Sequence, residues 1–232
     1  MAKKSRSSSG LNVLFIGNSF TSRNDLPGLI ARLAEARGKT MHHRLVFAGG
    51  APLRAHWNAG KAGEAIRKGK YDYVVLQEQS TLPVKNAARM HENIRLFDAV
   101  IREAGSKMAL YMTWARRQAP ETQKAITHAY TQIGKELSAT VVPVGNAWQR
   151  FLTKRDQPAL HDKDDSHPTL AGTYLAACVF FAVLFKESPV GIEDDVVTLS
   201  RNGKLLMQKV AWQAVGQKRK AENKTKKTGR DY

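Results

Sequence analysis

Two patterns of apolar residues alternate along the chain. Short continuous runs are typical of strands buried on both faces, and the first of them begins at Leu11 and stops abruptly at Gly17. Between the runs, apolar residues recur at helical spacing, as at Met90, Ile94 and Phe97. Further strands are predicted at 40–47, 71–77, 107–113 and 140–144, and helices at 25–38, 55–68, 86–104, 120–137 and 170–185.

The alternation of strands and helices predicts an α/β fold with a doubly wound parallel sheet of five strands. Right-handed crossovers favour the strand order 2-1-3-4-5, as in a flavodoxin-like three-layer sandwich. Ser19 follows the first strand, and such sheets place their ligand sites at the carboxyl ends of the strands. The loop after this strand lacks the glycine patterns GxGxxG and GxxxxGK[ST], so neither a dinucleotide site nor a P-loop is predicted.

Composition and charge suggest one domain with two basic ends. The chain has 232 residues, of which 42% are hydrophobic, and 37 Lys and Arg against 20 Asp and Glu give a net charge of +17. Residues 1–10 and 217–232 supply +3 and +5 of that charge and lack apolar periodicity. We therefore predict a domain at 11–216 between two disordered basic tails, which are able to bind polyanions weakly and in a salt-sensitive way.

The sequence also limits the compartment and the covalent chemistry. A single cysteine, Cys178, excludes an internal disulfide framework. The apolar run at 170–185 is broken by polar residues and is shorter than the roughly 20 residues that cross a bilayer. No secretory signal is recognised in the basic start, so a cytoplasmic protein without membrane insertion is expected.

A second polar motif, HDKDDSHP, runs from His161 to Pro168, directly before the last predicted apolar helix. A histidine three residues after an aspartate can be oriented by that carboxylate while its other ring nitrogen points outward, as in a general base. The alternative is a charged loop that caps the helix, just as Ser19 alone would be a capping serine. No metal site is predicted, because no further His or Cys cluster accompanies the four candidate ligands His161, Asp162, Asp164 and His167.

Together, GNSF at 17–20 and DDSHP at 164–168 resemble the first and last sequence blocks of the SGNH (GDSL-like) hydrolase superfamily. The resemblance covers residues 11 to about 185 and implies Ser19 as nucleophile, His167 as base and Asp164 as the carboxylate that orients it. Spacing alone leaves Asp165 as an alternative to Asp164. Asn18 replaces the aspartate of the family, at a position that is not the nucleophile.

The resemblance also implies an oxyanion hole. Its backbone donors are expected to be the N–H groups of Ser19 and Gly50, with Gly49 as the next match. The third family block, G-x-N-D, supplies an asparagine donor, but this chain has QEQS at 77–80. Because some carbohydrate-esterase branches carry a Q-G-E type sequence there, we predict a glutamine donor, favouring Gln77 over Gln79.

The expected activity is that of a carboxylic-ester hydrolase, a serine esterase that needs no cofactor. Its expected substrate is a small acyl ester, with acetyl esters and acylated sugars as candidates. Predicted substrate contacts are Gln79, Trp57 and Phe20, with Trp57 offering a face for a sugar ring. Two alternatives stay open: a basic protein that binds nucleic acid or another polyanion, and a catalytically degenerate SGNH domain that binds a glycan.

Overall fold

The computed structural model describes residues 10–195 and 197–228, with side chains as far as Gly216. Its strands are β1 (Leu11–Gly17), β2 (Met41–Phe47), β3 (Tyr73–Leu76), β4 (Lys107–Tyr111) and β5 (Thr140–Val142). Its helices are α1 (Ser19–Ser22), α2 (Leu26–Glu35), α3 (Leu53–Asn58), α4 (Lys61–Lys68), α5 (Leu82–Lys85), α6 (Ala87–Glu103), α7 (Gln123–Glu136), α8 (Val144–Leu152), α9 (Leu170–Leu184) and α10 (Arg201–Thr228). Short 3-10 turns lie at Arg23–Asp25 and Pro120–Thr122.

The five strands form one parallel sheet in the order β2-β1-β3-β4-β5, which confirms the predicted fold class and strand order. The central strand β1 pairs with β2 on one side and with β3 on the other. Its side chains alternate between two cores, with Val13 and Phe15 on one face and Leu14 and Ile16 on the other. Because helices cover both faces, β1 is continuously apolar from Val13 to Ile16 instead of alternating with polar residues.

Helices α2, α8, α9 and α10 contribute to the core on the Val13 face, and α3, α4, α6 and α7 to the core on the Leu14 face. Helix α9 packs against α2, α8 and α10, which explains why it is apolar around its whole circumference. Cys178 is buried within it. Among the helices of the described residues, none has both the length and the apolarity needed to cross a membrane.

Two segments differ from their predicted form. Residues 55–68 are divided into α3 and α4, because the chain turns at Gly60 with a φ of 74°, a left-handed conformation that suits glycine. Helix α10 continues to Thr228, past the expected domain boundary at Gly216. Residues 1–9 and 229–232 lie outside the described residues, so the domain limits and the disorder of the two basic tails stay predictions.

Helix α9 approaches its neighbours closely at Gly172. A Cβ atom there would lie 2.4 Å from Cη2 of Trp148 and 2.5 Å from the carbonyl oxygen of Leu160. We expect Gly172→Ala to destabilise the fold by about 1–3 kcal/mol, because neither the buried indole nor the backbone can yield easily. Thermal melting measures this loss. Gly216→Ala is the control, since a Cβ there meets no atom within 4 Å, and an unchanged Tm for Gly172→Ala would contradict the packing.

Candidate active site

Three side chains from two distant segments form one hydrogen-bonded row at the carboxyl end of β1. Ser19 Oγ lies 2.7 Å from Nε2 of His167, and Nδ1 of His167 lies 2.5 Å from Oδ2 of Asp164. Ser19 begins α1 directly after β1, whereas Asp164 and His167 belong to the loop between α8 and α9. The structure therefore brings together the serine, the histidine and the aspartate that the two sequence motifs supply.

The turn that carries Ser19 is shaped by Asn18. Its Oδ1 accepts a hydrogen bond from the backbone N–H of Phe20, at 3.1 Å, and thereby caps α1. Its Nδ2 donates to the carbonyl oxygen of Ala51, also at 3.1 Å, in the loop that follows β2. An aspartate could accept the first hydrogen bond but could not donate the second. The two bonds together therefore explain why asparagine suits this position.

His167 is held by its own loop and by the ring beneath it. Oδ1 of Asp164 accepts hydrogen bonds from the backbone N–H groups of Ser166, at 3.0 Å, and of His167, at 2.8 Å, so the segment closes into a tight turn. The ring of Phe20 lies 5.1 Å from the imidazole, and only 5% of Phe20 is exposed. The structure thus places Phe20, a predicted substrate contact, in the packing around His167.

The hydrogen bonds of Asp164 determine its protonation state. Burial by itself would raise the pKa of this carboxyl, but hydrogen bonds from the His167 ring and from the backbone N–H groups of His167 and Ser166 outweigh it. The pKa of Asp164 therefore lies well below its ordinary range, and the group is ionised at neutral pH. A guanidinium nitrogen of Arg23 lies 3.8 Å from the same carboxylate.

Asp165, the alternative to Asp164, is engaged elsewhere. Its carboxylate pairs with Arg117 at 3.2 Å and accepts a hydrogen bond from Gln118 at 2.9 Å. Its φ of 57° is left-handed and turns the chain between Asp164 and His167. Of these two neighbouring carboxylates, it is Asp164 that contacts the imidazole.

Gln77, the favoured oxyanion donor of the sequence prediction, lies beneath the serine turn and has no exposed surface. Its Oε1 accepts hydrogen bonds from the backbone N–H of Asn18, at 2.9 Å, and from the hydroxyl of Thr21, at 3.0 Å. Its Nε2 donates to the carbonyl oxygen of Glu78 at 2.5 Å. The amide of Gln77 is therefore enclosed in this structure and supports the turn, and its role as an oxyanion donor stays a prediction.

Gln79 and Gly50 differ from Gln77 in being accessible. Oε1 of Gln79 accepts from the backbone N–H and the hydroxyl of Thr81, at 2.9 Å each, and from the N–H of Leu82, so the oxygen end of the amide is bound within its own turn. Gly50 is exposed, with a φ of 63°, and a Cβ added there would meet no atom within 4 Å. Its neighbour Ala51 is bonded to Asn18, which ties this loop to the serine turn.

Comparison with known proteins identifies the fold. No family model and no curated protein matches the chain. Among solved structures, a DUF4886 family protein from Bacteroides uniformis matches with a TM-score of 0.77 and 21% identity, over 89% of this chain and 95% of its own. A candidate SGNH hydrolase from Slackia heliotrinireducens matches with a TM-score of 0.66 and 23% identity, over 75% and 99% of the two chains. This chain has the SGNH hydrolase fold.

A third solved structure of this fold is a variant of an acetyl-xylooligosaccharide esterase from Geobacillus stearothermophilus. It matches with a TM-score of 0.58 and 17% identity, over 80% of this chain and 96% of its own. At such identities the likeness concerns the backbone, so the chemistry of the site has to be argued from the side chains of this chain.

Trp57, one of the predicted substrate contacts, is partly buried. Trp57 packs edge-on against Phe97, with 5.3 Å between the ring centroids, in the core on the Leu14 face. Its ring therefore takes part in packing and is only partly exposed, and its role as a substrate contact stays a prediction. An exposed aromatic ring is found at Phe47, which is 51% exposed and pairs with Gly17 at the end of β2. Sequence reasoning missed Phe47, although its position directly before the glycine-rich loop is a signal for it.

Two further features do not include Ser19, His167 or Asp164. A cavity of about 630 Å³ is lined by the segment from Ala115 to Gln123, by α8 and by the loop after α8, including Trp148 and His161. His161, a candidate metal ligand, is buried with its Nε2 3.0 Å from the carbonyl oxygen of Ala115, and burial lowers its pKa. Within the described residues, no group of three His, Cys, Asp or Glu side chains is arranged to hold a metal ion.

The hydrogen bond between Asp164 and His167 predicts a titration shift. In His167→Ala the pKa of Asp164 should rise toward the ordinary aspartate value of about 3.9, and carboxyl ¹³C NMR measures it. Because its pKa in the folded protein is below the unfolded value, the ionised carboxyl stabilises the native state above about pH 4, and this contribution is lost as pH falls through the folded pKa. Glu136, whose pKa is lowered by its hydrogen bond with Arg95, should not move. An unchanged Asp164 titration would contradict the geometry.

Proposed function

We propose that the protein is a serine esterase that hydrolyses small acyl esters through an acyl intermediate on Ser19. The observation that carries the proposal is the hydrogen-bonded row of Ser19, His167 and Asp164, with separations of 2.7 and 2.5 Å. A serine hydroxyl is a weak nucleophile until a neighbouring base accepts its proton, and that base needs a carboxylate to fix its tautomer. Both partners are in contact here, in a fold shared with SGNH hydrolases.

The chemical steps follow from the atoms in contact. Nε2 of His167 accepts the proton of Ser19 as Oγ attacks the ester carbonyl, and then gives the proton to the departing alcohol. Asp164 holds Nδ1–H and stabilises the imidazolium while it exists, which requires the ionised carboxylate that its lowered pKa ensures. Water, activated by the same histidine, then releases the acid and restores Ser19.

The tetrahedral oxyanion needs donors that are in position before the reaction begins. We assign this role to the backbone N–H groups of Ser19 and Gly50 and to the side-chain amide of Gln79. Gln79 replaces Gln77 in this scheme, because its oxygen is bound within its own turn while Gln77 is enclosed. Gly50 is supported by its exposure and by the bond between Asn18 and Ala51.

The substrate class is inferred from the surroundings of Ser19. An acetylated sugar is favoured, since the exposed ring of Phe47 is the kind of apolar face on which a sugar can pack, and one structural neighbour is an acetyl-xylooligosaccharide esterase. The intact row of three side chains favours hydrolysis over glycan binding without turnover. Polyanion binding is supported only by the net charge of +17 and is not part of this proposal.

The nucleophile assignment is tested on a small activated ester such as para-nitrophenyl acetate. Ser19→Ala should lower kcat by ~10³-fold or more and abolish labelling by a fluorophosphonate probe, as expected when one member of a triad is removed. Ser22→Ala, in the same helix α1, is the matched control and should retain both activity and labelling. Turnover by Ser19→Ala close to that of the native chain would assign the chemistry to another group.

The two glutamines are expected to respond differently to truncation. Gln79→Ala should lower kcat by ~10²-fold with little change in KM, as for the loss of one oxyanion donor. Its loss of Tm should be smaller than that of Gln77→Ala, because the N–H groups it leaves unpaired lie in a partly exposed turn. Gln77→Ala should lower Tm and kcat together, because it leaves the N–H of Asn18 unpaired at a cost of about 1–3 kcal/mol. Gln132→Ala, at an exposed position of α7, serves as the control. A larger loss of kcat in Gln77→Ala at unchanged Tm would return the donor role to Gln77.

A further inference from the structure

A glutamate without exposed surface lies between the two glutamines. Glu78 Oε1 accepts hydrogen bonds from two backbone N–H groups, that of Leu53 at 3.0 Å and that of Gln79 at 2.7 Å. Its Oε2 accepts from Nδ2 of Asn93 at 2.8 Å. One carboxylate thus joins the end of β3, the start of α3 and the middle of α6.

A carboxylate at this place is costly. Burial raises the pKa of Glu78, although the hydrogen bonds from Asn93, Gln79 and Leu53 oppose the rise. Within the described residues no cation forms a salt bridge with it, and Arg54 reaches it only through Asn93, whose Oδ1 lies 3.2 Å from Nε of Arg54. Since a well-packed apolar side chain is often more stable than a buried charge, stability alone does not account for this glutamate.

The two backbone N–H groups that meet at Oε1 adjoin the proposed oxyanion donors, since one is that of Gln79 itself and the other is that of Leu53, the first residue of α3 after the Gly50 loop. Gln79 carries the side-chain donor, and Leu53 follows Gly50 by three residues. The Gly50 loop is held at two points, by Asn18 at Ala51 and by Glu78 at Leu53. The segments that carry both donors are therefore hydrogen-bonded to the same oxygen atom, Oε1 of Glu78. A shift of this atom would displace both donors.

We propose that Glu78 is a positioning residue that sets the separation between the Gly50 loop and Gln79, and thus the shape of the oxyanion hole. It acts through these two loops and does not touch the substrate. This inference rests on the proposed esterase function. It matters because donors stabilise an oxyanion only when they are fixed before the charge develops, and a misplacement near 1 Å can cost ~10²-fold in rate.

The first test is Glu78→Gln, which keeps the volume and one oxygen. Its new NH₂ group would face the NH₂ group of Asn93, so that two donors meet without an acceptor. We expect kcat to fall by ~10- to 100-fold at nearly constant KM. Phosphonylation of Ser19 by a fluorophosphonate should slow in parallel, since that reaction also builds charge on an oxygen in the hole.

The second test is a rescue. Glu78→Gln combined with Asn93→Asp exchanges the donor and the acceptor of the pair. The new NH₂ group at 78 then donates to the new carboxylate at 93, which also accepts a hydrogen bond from Nε of Arg54. If the role is positioning through hydrogen bonds, the double variant should recover kcat to within about threefold of the native chain, since every donor again has a partner. A folded double variant whose kcat stays tenfold or more below that of the native chain overturns the proposal, whether or not the single variant folds.

Gln208→Leu is the control for a loss of buried hydrogen bonding away from the site, because Gln208 lies in α10 and accepts from the backbone N–H of Gly191 at 2.9 Å. It should lower Tm and leave kcat unchanged at a temperature where the variant is folded. Glu78→Gln behaving in the same way would overturn the positioning role alone. A native chain that neither hydrolyses esters nor is labelled at Ser19 would instead overturn the proposed function, and the role of Glu78 with it.

Discussion

The hydrogen bond from the backbone N–H of Asn18 to Oε1 of Gln77 decides where the serine stands. The ladder between β1 and β3 ends with the N–H of Gln77 bonded to the carbonyl oxygen of Ile16. Beyond that point the chain leaves β1 and enters α1. The next N–H, that of Asn18, is accepted by the side-chain oxygen of Gln77 instead of by a backbone carbonyl. Gly17 is required at this step, since a Cβ there would lie 2.7 Å from the same Oε1. The position of Ser19 is thus determined by the end of a neighbouring strand.

The three residues Gln77, Glu78 and Gln79 connect the end of β3 to the other segments of the site by hydrogen bonds. Gln77 binds the turn of Asn18, Glu78 binds the start of α3, and Gln79 closes its own turn at Thr81. Three consecutive polar side chains after an apolar strand are costly to bury unless each has partners, and here each has them. The end of β3 therefore organises the loops on both sides of β1.

The sequence was sufficient for the backbone architecture and for the row of Ser19, His167 and Asp164. Continuous apolar runs identify strands of a parallel sheet. The contact between Asp164 and His167 is predictable from D-x-x-H because the two residues are only three positions apart in the chain. The sequence does not separate the roles of Gln77 and Gln79, because β3 ends at Leu76 and side-chain directions beyond it need not follow the alternation of a strand. The packing of Trp57 was not readable for a different reason, since its contact with Phe97 joins residues that no local pattern relates.

The connection between His167 and α9 joins the loop that carries the histidine to a helix of the core. Thr169 caps α9 two residues after the histidine, and its hydroxyl donates to the carbonyl oxygen of Ala159. Amide protons of a buried helix exchange through large-scale opening, whereas those of exposed loops exchange through local fluctuations. His167 thus lies at the junction of the two regimes, in the loop but two residues from the cap of a buried helix.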